Sequence, residues 1–245
     1  MKTIRYGPSD SQCLDLYLPE REQFDVFVYF HGGGLTGGDK VEASVFAEYL
    51  QSRGIAVISA NYRMYPEVVF PQFLEDAAQV VRWAFDNMKN YGACRRFFVG
   101  GSSAGGYISM MLCFDTGYLQ ARGVDPTQIS GYVHDAGQPT AHFTVLKERG
   151  LDSRRIIVDE TAPMYYVGLS DTYPPMEFVL SENDIPCRYE QTMLMLAALK
   201  HFDCDPDQIY LDILPGCHFE YVRQTDEAGS SVFGKLIERF MEKCS

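Results

Sequence analysis

The chain is short of positive charge. In 245 residues, 21 Lys and Arg stand against 33 Asp and Glu, for a formal net charge of −12. Nucleic acid and anionic bilayers are bound by a surplus of cations, so neither is a predicted partner. No apolar stretch approaches the ~18 residues of a membrane span. Met1 to Asp10 carries two basic residues with no apolar segment behind them, so no secretory leader is expected and a cytoplasmic location is predicted. Cysteines are present at 13, 94, 113, 187, 204, 217 and 244, but their number is odd and none are spaced C-x-x-C. That pattern fits a reduced compartment, with most thiols acting as small core hydrophobes, and no metal or cofactor is predicted. Internal repeats, low-complexity tracts and Pro-, Gly- or Ser-rich linkers are also missing. Residues 1–245 therefore read as one domain, and its 46% hydrophobic content supplies a sizeable core.

What is there alternates between strand and helix patterns. Cys13 to Leu18 alternates apolar with mostly polar residues and ends at Pro19, and Phe24 to Phe30 is a denser β-branched and aromatic run. Glu42 to Arg53 reads as a helix stopped by Gly54, and Ile55 to Ile58 as a buried strand. Gln72 to Asn90 carries Phe73, Ala77, Val80, Val81, Ala84, Phe85 and Met88 on one helical face. Further strands are predicted at Arg96 to Val99, Ile129 to His134, Met176 to Leu180 and Gln208 to Leu214. Helices are predicted after Ser103, at Tyr189 to His201 and near the C-terminus. The alternation implies an α/β fold with a mostly parallel central sheet and helices on both faces. One irregular interval, 137–175, is a candidate lid insertion, and its Phe143, Tyr165, Tyr166 and Tyr173 are candidate substrate contacts.

The most informative stretch is Val99-Gly100-Gly101-Ser102-Ser103-Ala104-Gly105-Gly106-Tyr107. It contains G-x-S-x-G centred on Ser103, between an apolar strand and an apolar helix. A phosphate-binding loop is excluded because Gly106 and Tyr107 stand where Lys and Ser/Thr are needed. A serine on a tight strand-to-helix turn exposes its Oγ, and the small flanking residues let another chain approach. The Ala104 N–H, at a helix N-terminus, is placed to face a developing oxyanion.

Parallel strands bring the loops after their carboxyl ends to one rim, where open α/β sheets bind ligands. His31-Gly32-Gly33-Gly34 follows a strand, and the N–H groups of Gly33 and Gly34 join Ala104 as a candidate oxyanion hole. His218, in Pro215-Gly216-Cys217-His218-Phe219, is the candidate general base. Of the other histidines, His31 belongs to the glycine loop, His134 and His142 precede the acid strand, and His201 ends a helix. Asp184 directly follows the Met176 strand and is the candidate acid, with Glu182 and Asp212 as runners-up.

Together these stretches resemble the α/β-hydrolases of the esterase/lipase kind, in particular the hormone-sensitive-lipase-like group and the small acetyl-ester hydrolases. The matching segments are Leu14 to Pro19, His31 to Gly34, Asn61-Tyr62-Arg63 with Phe70-Pro71 and Asp76, the Ser103 turn, and the Asp184 and His218 segments. The order Ser103, Asp184, His218 is that fold's nucleophile, acid, base order. The resemblance implies hydrolysis of carboxylic esters without a cofactor, on a small-molecule substrate. It departs in two places. The long N-terminal lid of the hormone-sensitive-lipase-like enzymes has no counterpart, and the acid segment reads Ser181-Glu182-Asn183-Asp184 instead of a turn rich in small residues. Short acyl groups, acetyl above all, are the expected substrates. Arylformamidases resemble this group and share its triad, but more often carry an aromatic residue in the glycine loop. Non-catalytic relatives such as the gibberellin receptors usually lack the histidine that is present here as His218. None of these signals encodes the oligomeric state.

Overall fold

A computed structural model describes residues 1–170 and 172–244. The layering is decided by strand β3 (Gln23–Phe30), which is buried from Phe24 onward. Val26, Val28 and Phe30 pack on one face with Phe73, Ala77 and Val81 and with Ile108 and Met111. Phe27 and Tyr29 pack on the other with Phe46, Leu50, Phe233, Ile237 and Phe240. A strand apolar on both faces needs a helical layer on each, and the two clusters are those layers.

Around β3 lies an eight-stranded sheet in the order β1-β2-β4-β3-β5-β6-β7-β8. It is completed by β1 (Lys2–Arg5), β2 (Cys13–Tyr17), β4 (Ile55–Ala60), β5 (Ala93–Ser102), β6 (Ile129–Asp135), β7 (Met176–Asn183) and β8 (Ile209–Cys217). Only the β1–β2 and β2–β4 pairs are antiparallel; β4, β3, β5, β6, β7 and β8 run parallel. Helices α1 (Ser44–Ser52) and α7 (Val232–Lys243) cover one face. Helices α2 (Gln72–Asn87), α3 (Ala104–Phe114) and α6 (Arg188–His201) cover the other, and α4 (Gly117–Ala121) and α5 (Phe143–Glu148) are short additions. Since β3 is flanked by β4 on one side and β5 on the other, the strand order reverses at β3. The carboxyl ends of β3 and β5 therefore border the crevice where such sheets bind ligands.

Each strand and helix anticipated from the sequence is present, most strands running a few residues past their apolar centres. β1 is an addition: a mostly exposed edge strand, it has no alternating apolar pattern to announce it. The five-residue α4 is another. The interval 137–175 lies between β6 and β7 and is tied to the body in its described part. The Thr144 hydroxyl donates to the Gly34 carbonyl, the Tyr107 hydroxyl donates to the Thr161 carbonyl at 2.7 Å, and the Phe70 N–H donates to Glu148 Oε1 at 2.9 Å.

The crossover after β4 is fixed by one buried carboxylate. Asp76 on α2 accepts from Gln12 Nε2 at 2.8 Å, from the Arg63 N–H at 3.0 Å, and from Arg63 Nε and Nη2 at 2.8 and 2.6 Å. Replacing Asp76 by Ala strands a guanidinium and an amide at once. D76A is expected to lose about 3 kcal/mol in urea unfolding, the low end for a broken buried pair because Arg63 keeps some contact with water. An unchanged denaturation midpoint would contradict this account.

Candidate active site

Ser103 sits between β5 and α3 at φ 55° and ψ −110°, a conformation L residues rarely adopt. The cause is local crowding. A Cβ on Gly105 would lie 1.9 Å from the Phe30 carbonyl oxygen, and one on Gly101 would lie 2.4 Å from the Gly105 backbone. Glycine at both positions lets α3 start against the end of β3 and presents Ser103 at the helix N-terminus. The Ser103 N–H donates to the Asp135 carbonyl at 2.8 Å, anchoring the turn to β6.

The loop after β3 runs alongside. A Cβ on Gly32 would lie 3.3 Å from the Ser103 Cβ, so the loop backbone passes at contact distance from the serine. Gly33 and Gly34 adopt φ of 104° and 66°. A Cβ on Gly33 would collide with the Gly37 carbonyl oxygen at 2.0 Å. Among the described residues, none accepts a hydrogen bond from the N–H groups of Gly33, Gly34 or Ala104. His31 braces this loop. It stacks on Tyr62 at 4.6 Å between centroids, its Nδ1 lies 2.7 Å from the Gly32 carbonyl, and the Tyr62 hydroxyl donates to its own carbonyl at 2.9 Å.

From the far side of the rim, β8 ends at Cys217 and delivers His218. Its Nε2 lies 2.8 Å from Ser103 Oγ and its Nδ1 lies 2.5 Å from Asp184 Oδ1. Burial raises the Asp184 pKa, but the His218 hydrogen bond and charge, with the N–H groups of Ile185 and Ser181, outweigh it and leave the carboxyl below its usual range. An ionised Asp184 accepts from Nδ1–H, which leaves Nε2 as the acceptor for the Ser103 hydroxyl. Asp184 directly follows β7, which runs through Asn183. The runners-up lie elsewhere: Glu182 is exposed, and Asp212, within β8, pairs with Arg239.

Residues 14–122 match the protein family described as BD-FAE. Esterase LipI of Mycobacterium tuberculosis is 33% identical over 96 residues, 38% of this chain and 30% of that protein. The matched stretches span 26% to 39% of the length of the curated relatives. In solved structures, esterase B of Lactobacillus rhamnosis superposes with a TM-score of 0.79 over 99% of this chain and 85% of that one, at 18% identity. A truncated carbohydrate esterase from gut microbiota gives 0.78 over 100% and 96%, at 16% identity, a likeness of fold. The chain has the α/β-hydrolase fold.

Not every residue singled out in this α/β-hydrolase fold reaches the serine. Phe143 does approach the glycine loop: a Cβ on Gly34 would lie 3.0 Å from its Cζ. Tyr173 packs on Phe114 at 5.3 Å, and its hydroxyl accepts from the Gly168 N–H at 2.8 Å. Phe114 ends α3, about 16 Å along the helix from Ser103. Tyr166 and Tyr173 instead line a cavity of 680 Å³ there, with Phe114 and Tyr132. Tyr165 is exposed and stands edge-on to Tyr166. The aromatic composition of the interval was visible in the sequence, whereas the end of α3 on which each ring lands was not.

Conversely, the protein carries a buried network that the sequence did not announce. The Tyr29 hydroxyl donates to Ser102 Oγ at 2.9 Å, and the Ser102 hydroxyl donates to Asp135 Oδ2. The Tyr221 hydroxyl donates to Asp135 Oδ1. Beside it, Ser181 Oγ donates to the Cys217 carbonyl at 2.7 Å and accepts from the Phe219 N–H at 3.1 Å. These groups tie the serine turn and the acid strand to the histidine loop. The one available signal was a carboxylate, Asp135, at a predicted strand end.

Burial pushes Asp135 up to about 7, opposed by the Ser102 and Tyr221 hydrogen bonds and reinforced by the charge of Asp184. With the native pKa above the unfolded value, the native state holds more protons between about pH 4 and 7, so stability falls as pH rises through that window. D135N removes this term. The wild type is therefore expected to lose about 2 kcal/mol relative to D135N between pH 5 and 7, read by urea unfolding at each pH. A difference that stays constant with pH would rule the account out.

Proposed function

We propose that the protein is a serine carboxylic-ester hydrolase acting on short-acyl, chiefly acetyl, esters. The observation that carries this is the hydrogen-bonded chain Ser103–His218–Asp184 at the mouth of the glycine loop. His218 Nε2 takes the Ser103 proton as Oγ attacks the ester carbonyl, and Asp184 stabilises the imidazolium that results. The tetrahedral oxyanion is received by the N–H groups of Gly33, Gly34 and Ala104, each donor worth about 3 kcal/mol of barrier. Protonated His218 then gives its proton to the leaving alkoxide. Water, deprotonated by His218, attacks the acyl-enzyme and frees Ser103.

The acyl preference is supported by crowding. Ser103 is only 8% exposed, and Phe143 lies against Gly34, whose carbonyl is clamped by Thr144. A long acyl chain meets these groups at the serine. The similar proteins, esterases and a carbohydrate esterase among them, accord with ester substrates.

Three measurements test the reading. S103A is expected to lower kcat by several orders of magnitude while remaining folded, and an organophosphate should label Ser103 in the wild type alone. Labelling that persists in S103A would sink the nucleophile. D184N should cost on the order of 10⁴ in kcat, as in the serine-protease case of a lost histidine tautomer, and D212N far less. The reverse order would transfer the acid to Asp212. Across p-nitrophenyl acetate, butyrate, octanoate and palmitate, kcat/KM should fall with length. A maximum at octanoate or beyond would defeat the short-acyl claim, and faster cleavage of an N-formyl aromatic amine would make the protein an amide hydrolase.

A further inference from the structure

Four residues beyond Asp184, α6 opens with Arg188, which is 3% exposed while Ile185, Pro186 and Cys187 before it are exposed. A buried guanidinium is ordinarily paired or saturated with hydrogen bonds, because an uncompensated buried charge is costly. Arg188 is not. Its Nε and Nη1 are buried without a hydrogen-bond partner, and among the described residues none accepts from its side chain. Its charge acts on two groups at the site: it is favoured by Asp184, and it adds to the burial that holds His142 neutral.

The surroundings are polar. Thr140 Oγ1 donates to Gln191 Oε1 at 2.8 Å, so the turn of α6 that follows Arg188 meets the insertion after β6. Gln138 Nε2 donates to the Ala141 carbonyl at 2.8 Å and to Thr140 Oγ1 at 3.2 Å. His142 Nδ1 accepts from the Thr144 N–H at 3.2 Å, and Thr144 holds Gly34. Gln138, Thr140 and Gln191 are buried and committed to one another and His142 to the Thr144 N–H, whereas the cation beside them is left unpaired. No acidic residue among them neutralises it, and Asp184 is already engaged by His218.

We propose that Arg188 is a carboxylate-binding subsite of the active site, so that the preferred ester carries a free carboxylate near its scissile bond. A guanidinium whose N–H groups have no acceptor in the protein suits the oxygens of a carboxylate, and most of its desolvation has already been met in folding. The anion enters as the missing partner. The net charge of −12 gives no long-range attraction to such a substrate, so recognition rests on this one buried cation. The inference rests on the esterase reading given above.

The test uses two substrate pairs, each a carboxylate against its own methyl ester. Mono-p-nitrophenyl succinate and methyl p-nitrophenyl succinate place the charge on the acyl side. 4-Acetoxybenzoate and methyl 4-acetoxybenzoate place it on the leaving group. The wild type is expected to favour the carboxylate member of one pair by about ten-fold or more in kcat/KM, chiefly through KM, and the pair that responds locates the subsite. In R188M that ratio should collapse to about one, and R188K, which keeps the charge without the fork, should fall between. Ratios near one in the wild type for both pairs, or a ratio that survives in R188M, overturn the proposal. A purely structural role would depress both members together and leave the ratio intact. If the wild type cleaves none of the four esters, the esterase reading fails separately. Calorimetry with succinate and 4-hydroxybenzoate then decides the subsite, upheld by binding that R188M abolishes and overturned by no binding.

Discussion

The approach of α3 to the end of β3 is the constraint on which the site depends. With Gly105 against the Phe30 carbonyl, there is no room for any side chain at that position. The contact fixes three things together: the positive φ of Ser103, the start of α3 at the residue after it, and the distance from the serine to the loop that leaves β3. Because β3 and β5 are parallel neighbours in register from Val26 to Phe30, both loops emerge at one rim. The pre-organisation of Ser103 and the glycine loop is thus a property of backbone packing, with little left to side-chain choice.

The histidine comes from a different part of the sheet and needs its own fixing. β8 is the edge strand beyond β7, alternately half-buried and exposed, and gives little burial of its own to hold a loop in place. Hydrogen bonds supply what burial does not. Ser181 of β7 braces Cys217 and Phe219 on either side of His218, and Tyr221 reaches Asp135 beneath the serine turn. One buried carboxyl therefore senses both halves of the Ser103–His218 contact. Folding keeps this acid near neutrality where it would otherwise ionise, a local cost of the kind that concentrates at working sites.

How legible all this was depended on whether a signal was periodic, punctuated or three-dimensional. Apolar runs such as Phe24 to Phe30 and the helical face within Gln72 to Asn90 located the sheet and its principal helix, because burial on fixed faces dictates their residue types. Glycine and serine at fixed offsets located Ser103 and the loop of Gly33 and Gly34, because steric collisions forbid other residues there. Asp184 was findable because β7 ends where its apolar run gives way to polar residues. Edge strand β1 escaped because Lys2–Arg5 is exposed and has no face to bury. Where Tyr166 and Tyr173 pack was not legible, because an aromatic side chain signals only that it packs, not at which end of α3. Ser181, Asp135 and Arg188 carry no motif: Ser181 and Asp135 act through partners distant in sequence, and Arg188 stands out only by the lack of one.

That lack follows from how charge behaves at different ranges. The surface of this chain is acidic, but exposed charges beyond about 8 Å are screened at physiological salt. Within a buried cleft the reckoning changes, since a carboxylate entering it must shed water and recovers that free energy only from donors already dry. Arg188 is dry in the free protein, and burial draws its pKa down to about 10, which still leaves it charged at neutral pH. A fold that keeps such a group unpaired is less stable than one with an apolar side chain in its place. The same deficit makes an anion bound there stabilise the folded state by mass action, so recognition and stability draw on one interaction. The acidic surface and the buried cation therefore do not oppose each other. The first acts over long range, and the second is the group to which the proposal above assigns the choice of ester.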